Sequence, residues 1–128
     1  MLEGVAFGVK RHINIMERIA GRRLERLVAS GGGARTELWL RIKASVYGIP
    51  ILVPQEAECG IIGCAAMAAV ALGRHATLPQ AANALVAYDK EVAPEPRWME
   101  TYARMQPVFE KLYLHSQRMY DDLDGLAP

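Results

Sequence analysis

The chain has 128 residues, enough for one domain, with 52% apolar residues and a formal net charge of +1. That balance, with no basic block, removes the electrostatic case for nucleic acid. His12, His75 and His115 lie too far apart to suggest a metal site. Met1-Leu2-Glu3-Gly4 lacks the basic-then-apolar pattern of a signal peptide, and the longest apolar stretch, residues 59–72, is too short to span a bilayer. A cytoplasmic chain with no membrane partner is expected.

Leu2, Val5, Ala6, Val9, Ile13, Met16 and Ala20 recur with helical period and predict a helix over residues 2–20, stopped by Gly21. Residues 26–30 predict a short strand. It runs into Gly31-Gly32-Gly33-Ala34-Arg35-Thr36-Glu37-Leu38-Trp39, where three glycines stand between an apolar run and a helical pattern. Backbone without Cβ can approach a ligand closely, and a helix N-terminus offers free N–H groups to an anion. The glycines alone fit a phosphate or nucleotide loop and a tight strand-to-helix turn equally well. They match neither the Walker A nor the dinucleotide fingerprint.

Thr36 is the expected N-cap of a helix over 36–47, with Leu38, Trp39, Ile42 and Val46 on its apolar side and Gly48 as its stop. Residues 50–53 predict a second strand, completing a βαβ unit with parallel strands. Residues 54–58 form a polar break. Glu56 and Glu58 suit acid–base work or, in the case of Glu58, a favourable place at a helix start.

Residues 59–72 predict a helix buried inside protein, with Cys59 and Cys64 as small buried packers. Gly60 and Gly63 within it point either to close helix packing or to a nearby ligand. Thr77-Leu78-Pro79-Gln80 reads as a capping box opening a helix over 77–86. Residues 88–97 predict a loop, with Pro94 and Pro96 excluding helix. A long helix follows over 98–121, kinked at Pro107, with Met105, Val108, Phe109, Leu112 and Met119 on its apolar side. Residues 122–128 are expected to be a disordered tail.

Taken in order, these features resemble the C-terminal domain of the FGGY carbohydrate kinases, the group that includes xylulokinase, gluconokinase, ribulokinase and glycerol kinase. Leu2-Glu3-Gly4-Val5-Ala6-Phe7 resembles the family's opening helix. Gly31-Gly32-Gly33-Ala34-Arg35-Thr36 with Leu38-Trp39 resembles its adenosine motif, and Gly48-Ile49-Pro50-Ile51 its strand entry. Glu58 with Gly60, Gly63, Ala65, Ala66, Ala69 and Gly73 resembles its small-residue helix, and Pro96 with Tyr102 its closing segment. The family usually follows its Trp with a Gln and then an Ala-Asp pair. Here those places hold Arg41 and Ala44-Ser45, and no role is carried onto Ser45.

The resemblance implies an α/β fold: the C-terminal part of an actin-like, ribonuclease-H-like ATPase domain, with a βαβ unit, flanking helices and a long C-terminal helix. It implies that residues 1–128 are the nucleotide-side portion of an ATP-dependent kinase acting on a sugar, ketose or polyol hydroxyl. Gly31, Gly32, Gly33, Ala34 and Glu37 are its implied nucleotide contacts, with ATP or ADP as ligand and Mg²⁺ carried by the nucleotide. The carbohydrate itself, the catalytic Asp and further strands would belong to parts of the family's architecture outside this chain. No residue here is assigned to catalysis or to metal. The aspartates expected here are Asp89 in a loop and Asp121, Asp122 and Asp124 in the tail.

A two-stranded sheet with open edges, and an exposed patch of Val5, Val9, Ile13 and Met16, would favour self-association or pairing with a chain that supplies strands. A non-catalytic binding or assembly module derived from the same fold is the alternative. An unrelated small α/β protein whose glycines only turn the chain is a third.

Overall fold

The computed structural model describes residues 2–56 and 58–125. Helix α1 (Leu2–Ala20) ends at Gly21, which takes φ +65°. Glu17 Oε1 then accepts the Leu24 N–H at 2.8 Å, and this fixes the turn into strand β1 (Leu27–Val28). Helix α2 (Glu37–Tyr47) and strand β2 (Ile51–Pro54) follow. β1 and β2 are parallel, with Leu27 opposite Ile51 and Val28 opposite Leu52, as the βαβ spacing predicts. β1 is shorter than the expected 26–30. Its ladder closes with Ala29 N–H donating to Leu52 O at 2.9 Å, after which the chain turns away at the glycines.

Among the described residues the sheet has three strands, in the order β1-β2-β3. Strand β3 (Tyr88–Val92) occupies what the sequence reads as a loop, and it pairs antiparallel to β2 with Ile51 opposite Val92 and Val53 opposite Lys90. The expected two-stranded sheet is therefore corrected. Asp89 lies in a strand rather than a loop. β3 escapes a pattern search because only Val92 is buried. Its Asp, Lys and Glu are the charged residues that edge strands carry to discourage further pairing. β2, between two neighbours, is buried at all four positions.

One core joins these elements. Ala6, Phe7 and Ile13 of α1 meet Leu40, Ile42, Ala44, Val46 and Tyr47 of α2, Ile51 and Val53 of β2, and Val92 of β3. The expected stripe on α1 is rotated: Ala6, Phe7 and Ile13 face inward, while Val5, Val9 and Met16 are exposed. In α2 Leu40, Ala44 and Ser45 are fully buried, and Leu38 is exposed.

Helix α3 (Cys59–Ala71) and helix α4 (Leu78–Leu85) pack against each other. The burial expected for residues 59–72 does not occur. Of α3 only Ala66 is buried, and both cysteines are free and exposed. A Cβ added at Gly60 or Gly63 would meet no atom within 4 Å, so no close packing requires these glycines. Apolar residues surround α3 instead of forming a stripe, and such a pattern gives no direction for packing. At α4, Thr77 Oγ1 accepts the Gln80 N–H at 3.4 Å, and Gln80 Oε1 accepts the Ala76 N–H at 3.3 Å.

Helix α5 (Pro96–Asp124) begins two residues before the expected position, because proline in a first turn gives up only an N–H the helix does not use. It continues through Pro107, whose missing N–H leaves the Ala103 carbonyl without its helical donor. Trp98, Tyr102 and Phe109 pack on the core. Phe7 meets the Tyr102 ring edge-on at 5.8 Å and Phe109 at 5.4 Å. Of the expected apolar side only Phe109 is covered; Met105, Val108, Leu112 and Met119 are exposed. α5 reaches Asp124, and the rest of the expected disordered tail, from Leu126 onward, lies outside the described residues.

Candidate functional site

The three glycines lead directly from β1 into a single 3₁₀ turn, Gly32–Ala34, which opens onto α2. Gly31 has φ +68° and ψ −162°, a conformation in which essentially only glycine is stable. Ala34 N–H donates to Gly31 O at 3.0 Å and Arg35 N–H to Gly32 O at 3.3 Å. The N–H groups of Gly32 and Gly33 stand ahead of these internal bonds, as the first donors of any helical turn do. A Cβ added at Gly31 or Gly32 would meet nothing within 4 Å, so the space before them is open to a ligand. Ala34 is buried in the core and anchors the turn.

Thr36 occupies the N-cap position with extended backbone, but its hydroxyl makes no capping bond; this corrects the expected role. Its carbonyl accepts the Leu40 N–H at 3.1 Å instead. The first turn of α2 thus keeps its positive dipole end without a Thr36 cap. Glu37 stands at that turn, with its carboxylate paired to Lys90 Nζ of β3. The structure brings residues 31–34 together in one turn and puts Glu37 just beyond it, tied to the sheet edge.

The loop is also held from behind. Lys43 Nζ donates to Gly33 O at 3.1 Å and lies 5.3 Å from the centre of the Trp39 ring. Burial pulls the Lys43 ammonium below the usual lysine value. Arg35, just past the turn, faces Glu58 at 3.8 Å, an exposed and therefore weak pair that links the loop to the start of α3. Glu56 Oε1 accepts the Glu58 N–H at 2.9 Å, so Glu56 acts on the entry to α3. Nearby, Val28, Pro54, Cys59, Gly63 and Ala82 line part of a mostly apolar cavity of about 350 Å³ between the sheet and the α3–α4 pair.

Arg41 and Ser45, the two departures from the family pattern, meet at Glu95. Arg41 pairs with the Glu95 carboxylate and lies 5.0 Å from the Trp98 ring centre, while Ser45 Oγ accepts the Glu95 N–H. Ser45, Lys43 and Lys90 are contacts that sequence reasoning missed. Only Lys43 carried a signal, its spacing of four from Trp39, which puts both on one helix face.

The sequence model described as the FGGY family of carbohydrate kinases, C-terminal domain, matches residues 1–72, from α1 through the glycine loop to the end of α3. This chain belongs to the FGGY family of carbohydrate kinases. An autoinducer-2 kinase of Enterobacter sp. (strain 638) is 31% identical over 83% of this chain and 20% of its own length. A xylulose kinase of Staphylococcus epidermidis is 27% identical over 96% of this chain and 25% of its own.

Among solved structures of the FGGY type, xylulose kinase from Lactobacillus acidophilus superposes with a TM-score of 0.81 at 19% identity, over 95% of this chain and 24% of that one. Xylulose kinase from Rhodospirillum rubrum gives 0.76 at 27% identity, over 94% and 24%. The mixed α/β fold expected of an FGGY C-terminal portion is the fold observed. The chain spans about a fifth to a quarter of the length of these FGGY relatives.

Proposed function

We propose that this chain is the nucleotide-side portion of an ATP-dependent carbohydrate kinase, and that residues 31–34 receive the adenosine and nearer phosphates of ATP or ADP. One observation carries the reading. A Gly-Gly-Gly-Ala turn links a parallel strand to a helix N-terminus, with open space where the Cβ atoms of residues 31 and 32 would be. Free N–H groups and the helix dipole then act together on an anion.

Phosphoryl transfer depends on positioning and on charge stabilisation around the phosphates, which is what such a turn supplies. Mg²⁺ would enter with the nucleotide. Glu37 is a nucleotide contact on this reading, once its carboxylate leaves Lys90. The acceptor would be a hydroxyl of a sugar, ketose or polyol, in keeping with relatives described as xylulose and autoinducer-2 kinases. No residue of this chain is assigned to the acceptor or to the catalytic base.

Pairing with a further chain or a second copy also belongs to this reading. β1 is an outer strand of only two residues, and its Val28 is half exposed.

The test of the nucleotide site is a titration of the purified chain with Mg·ADP, followed by amide resonances. The expected result is weak binding with shifts confined to residues 31–37. No shift there at millimolar ADP would refute the site. Sedimentation tests the pairing: association at micromolar concentration is expected, and a stable monomer there would refute it.

A further inference from the structure

Three glycines in a row make the loosest backbone a chain can offer, because glycine has more conformational freedom to lose than any other residue. A loop that presents N–H groups in fixed directions therefore needs an anchor outside itself. The peptide plane between Gly33 and Ala34 is held at both ends, from within the loop by its N–H and from outside it by its carbonyl. Its N–H donates to Gly31 O at 3.0 Å, and its carbonyl accepts from Lys43 Nζ at 3.1 Å.

The Lys43 ammonium is itself fixed in place. It sits over the Trp39 ring, and Trp39 stands against the loop: a Cβ built on Gly33 would lie 3.6 Å from Trp39 Nε1 and 3.7 Å from Lys43 Nζ. Lys43 is partly buried, and a charge-assisted hydrogen bond removed from water is stronger than its exposed counterpart.

We propose that Lys43 is a positioning residue of the glycine loop: it holds the Gly33 carbonyl, and with it the Gly33–Ala34 peptide plane, as the fixed end from which the N–H groups at 32 and 33 are presented. The role in nucleotide binding rests on the function proposed above; the anchoring itself does not. Because a peptide unit is planar, fixing one carbonyl fixes the N–H of the next residue. Only the Gly32 and Gly33 torsions then remain to be ordered when an anion arrives.

Amide hydrogen exchange on the nucleotide-free chain tests the anchor. The variants are Lys43→Met, which keeps the aliphatic stem, and Lys43→Arg, which restores a donor able to stack on Trp39. Lys43→Met is expected to speed exchange at Ala34 roughly tenfold, leaving the β2 amides unchanged, and Lys43→Arg to reverse most of that gain. Mg·ADP affinity should fall by a similar factor in Lys43→Met and return in Lys43→Arg.

Unchanged Ala34 exchange in Lys43→Met overturns the proposal. So does an equal acceleration in β2, which would make Lys43 a general stabiliser. If Ala34 responds as expected but the wild-type chain binds no ADP, the anchor stands and the nucleotide reading fails.

Discussion

Ser45 Oγ accepts the backbone N–H of Glu95 at 3.0 Å, joining positions fifty residues apart. Ser45 is only 2% exposed, and the bond fixes the chain at the entry to α5. The Glu95 carboxylate is engaged elsewhere, with Arg41, so it does not cap α5. Ser45→Ala should leave a partly buried donor unmet and cost about 1–2 kcal/mol. Urea unfolding reads this directly, and an unchanged midpoint would show that water replaces the hydroxyl.

Gly31 and Gly32 should separate stability from binding. Gly31→Ala forces a side chain into a backbone region close to glycine-only and should cost about 1–3 kcal/mol. Gly32 has ordinary backbone and open space before it, so Gly32→Ala should leave the thermal midpoint almost unchanged while weakening Mg·ADP. Equal ADP affinity in wild type and Gly32→Ala would argue against a ligand lying on the turn.

Tyr47 predicts a loss of stability in alkali. Burial pushes its hydroxyl up to about 12, from an ordinary 10.0. Between those values the folded state holds a proton that the unfolded state has released, so stability is full below pH 10 and falls as pH rises toward 12. The complete loss is roughly 2–3 kcal/mol. Lys10 and Lys43 act in the opposite sense, because burial lowers both: the cost of charging them is relieved as pH rises toward 10.5. The Tyr47→Phe variant isolates the tyrosine. Its urea midpoint should decline less than that of wild type from pH 9.5 to 11, and parallel curves would refute the assignment.

Cys59 and Cys64 should both react with a thiol reagent in native buffer without prior unfolding, since both are free and exposed on α3. Two thiols titrating only in denaturant would mean that α3 is covered.

Elements whose signals are local were readable from the sequence. The apolar run of β2, Gly48 in the left-handed region and the glycine turn between strand and helix together specify the βαβ unit. β3 was hidden because Tyr-Asp-Lys-Glu-Val looks like a solvated loop until its partner strand is known. The burial of α3 was misjudged because apolar composition says how much surface wants cover, not whether this chain supplies it. At the candidate site, the glycines and Glu37 could be named from their order. The contacts around them could not: Lys90 reaches Glu37 across 53 residues and Glu95 reaches Ser45 across 50. Such pairings carry no trace in a local pattern.

The strand order β1-β2-β3 also has a consequence for synthesis. β2 receives its parallel neighbour from sequence already made, but its antiparallel neighbour, β3, comes only after residues 55–87. At a ribosomal rate of roughly 5–20 residues per second, Ile51, Leu52 and Val53 spend a few seconds outside the tunnel with one side unpaired. During that interval the free side of β2 is open to pairing with another chain, and pausing within residues 55–87 would prolong it.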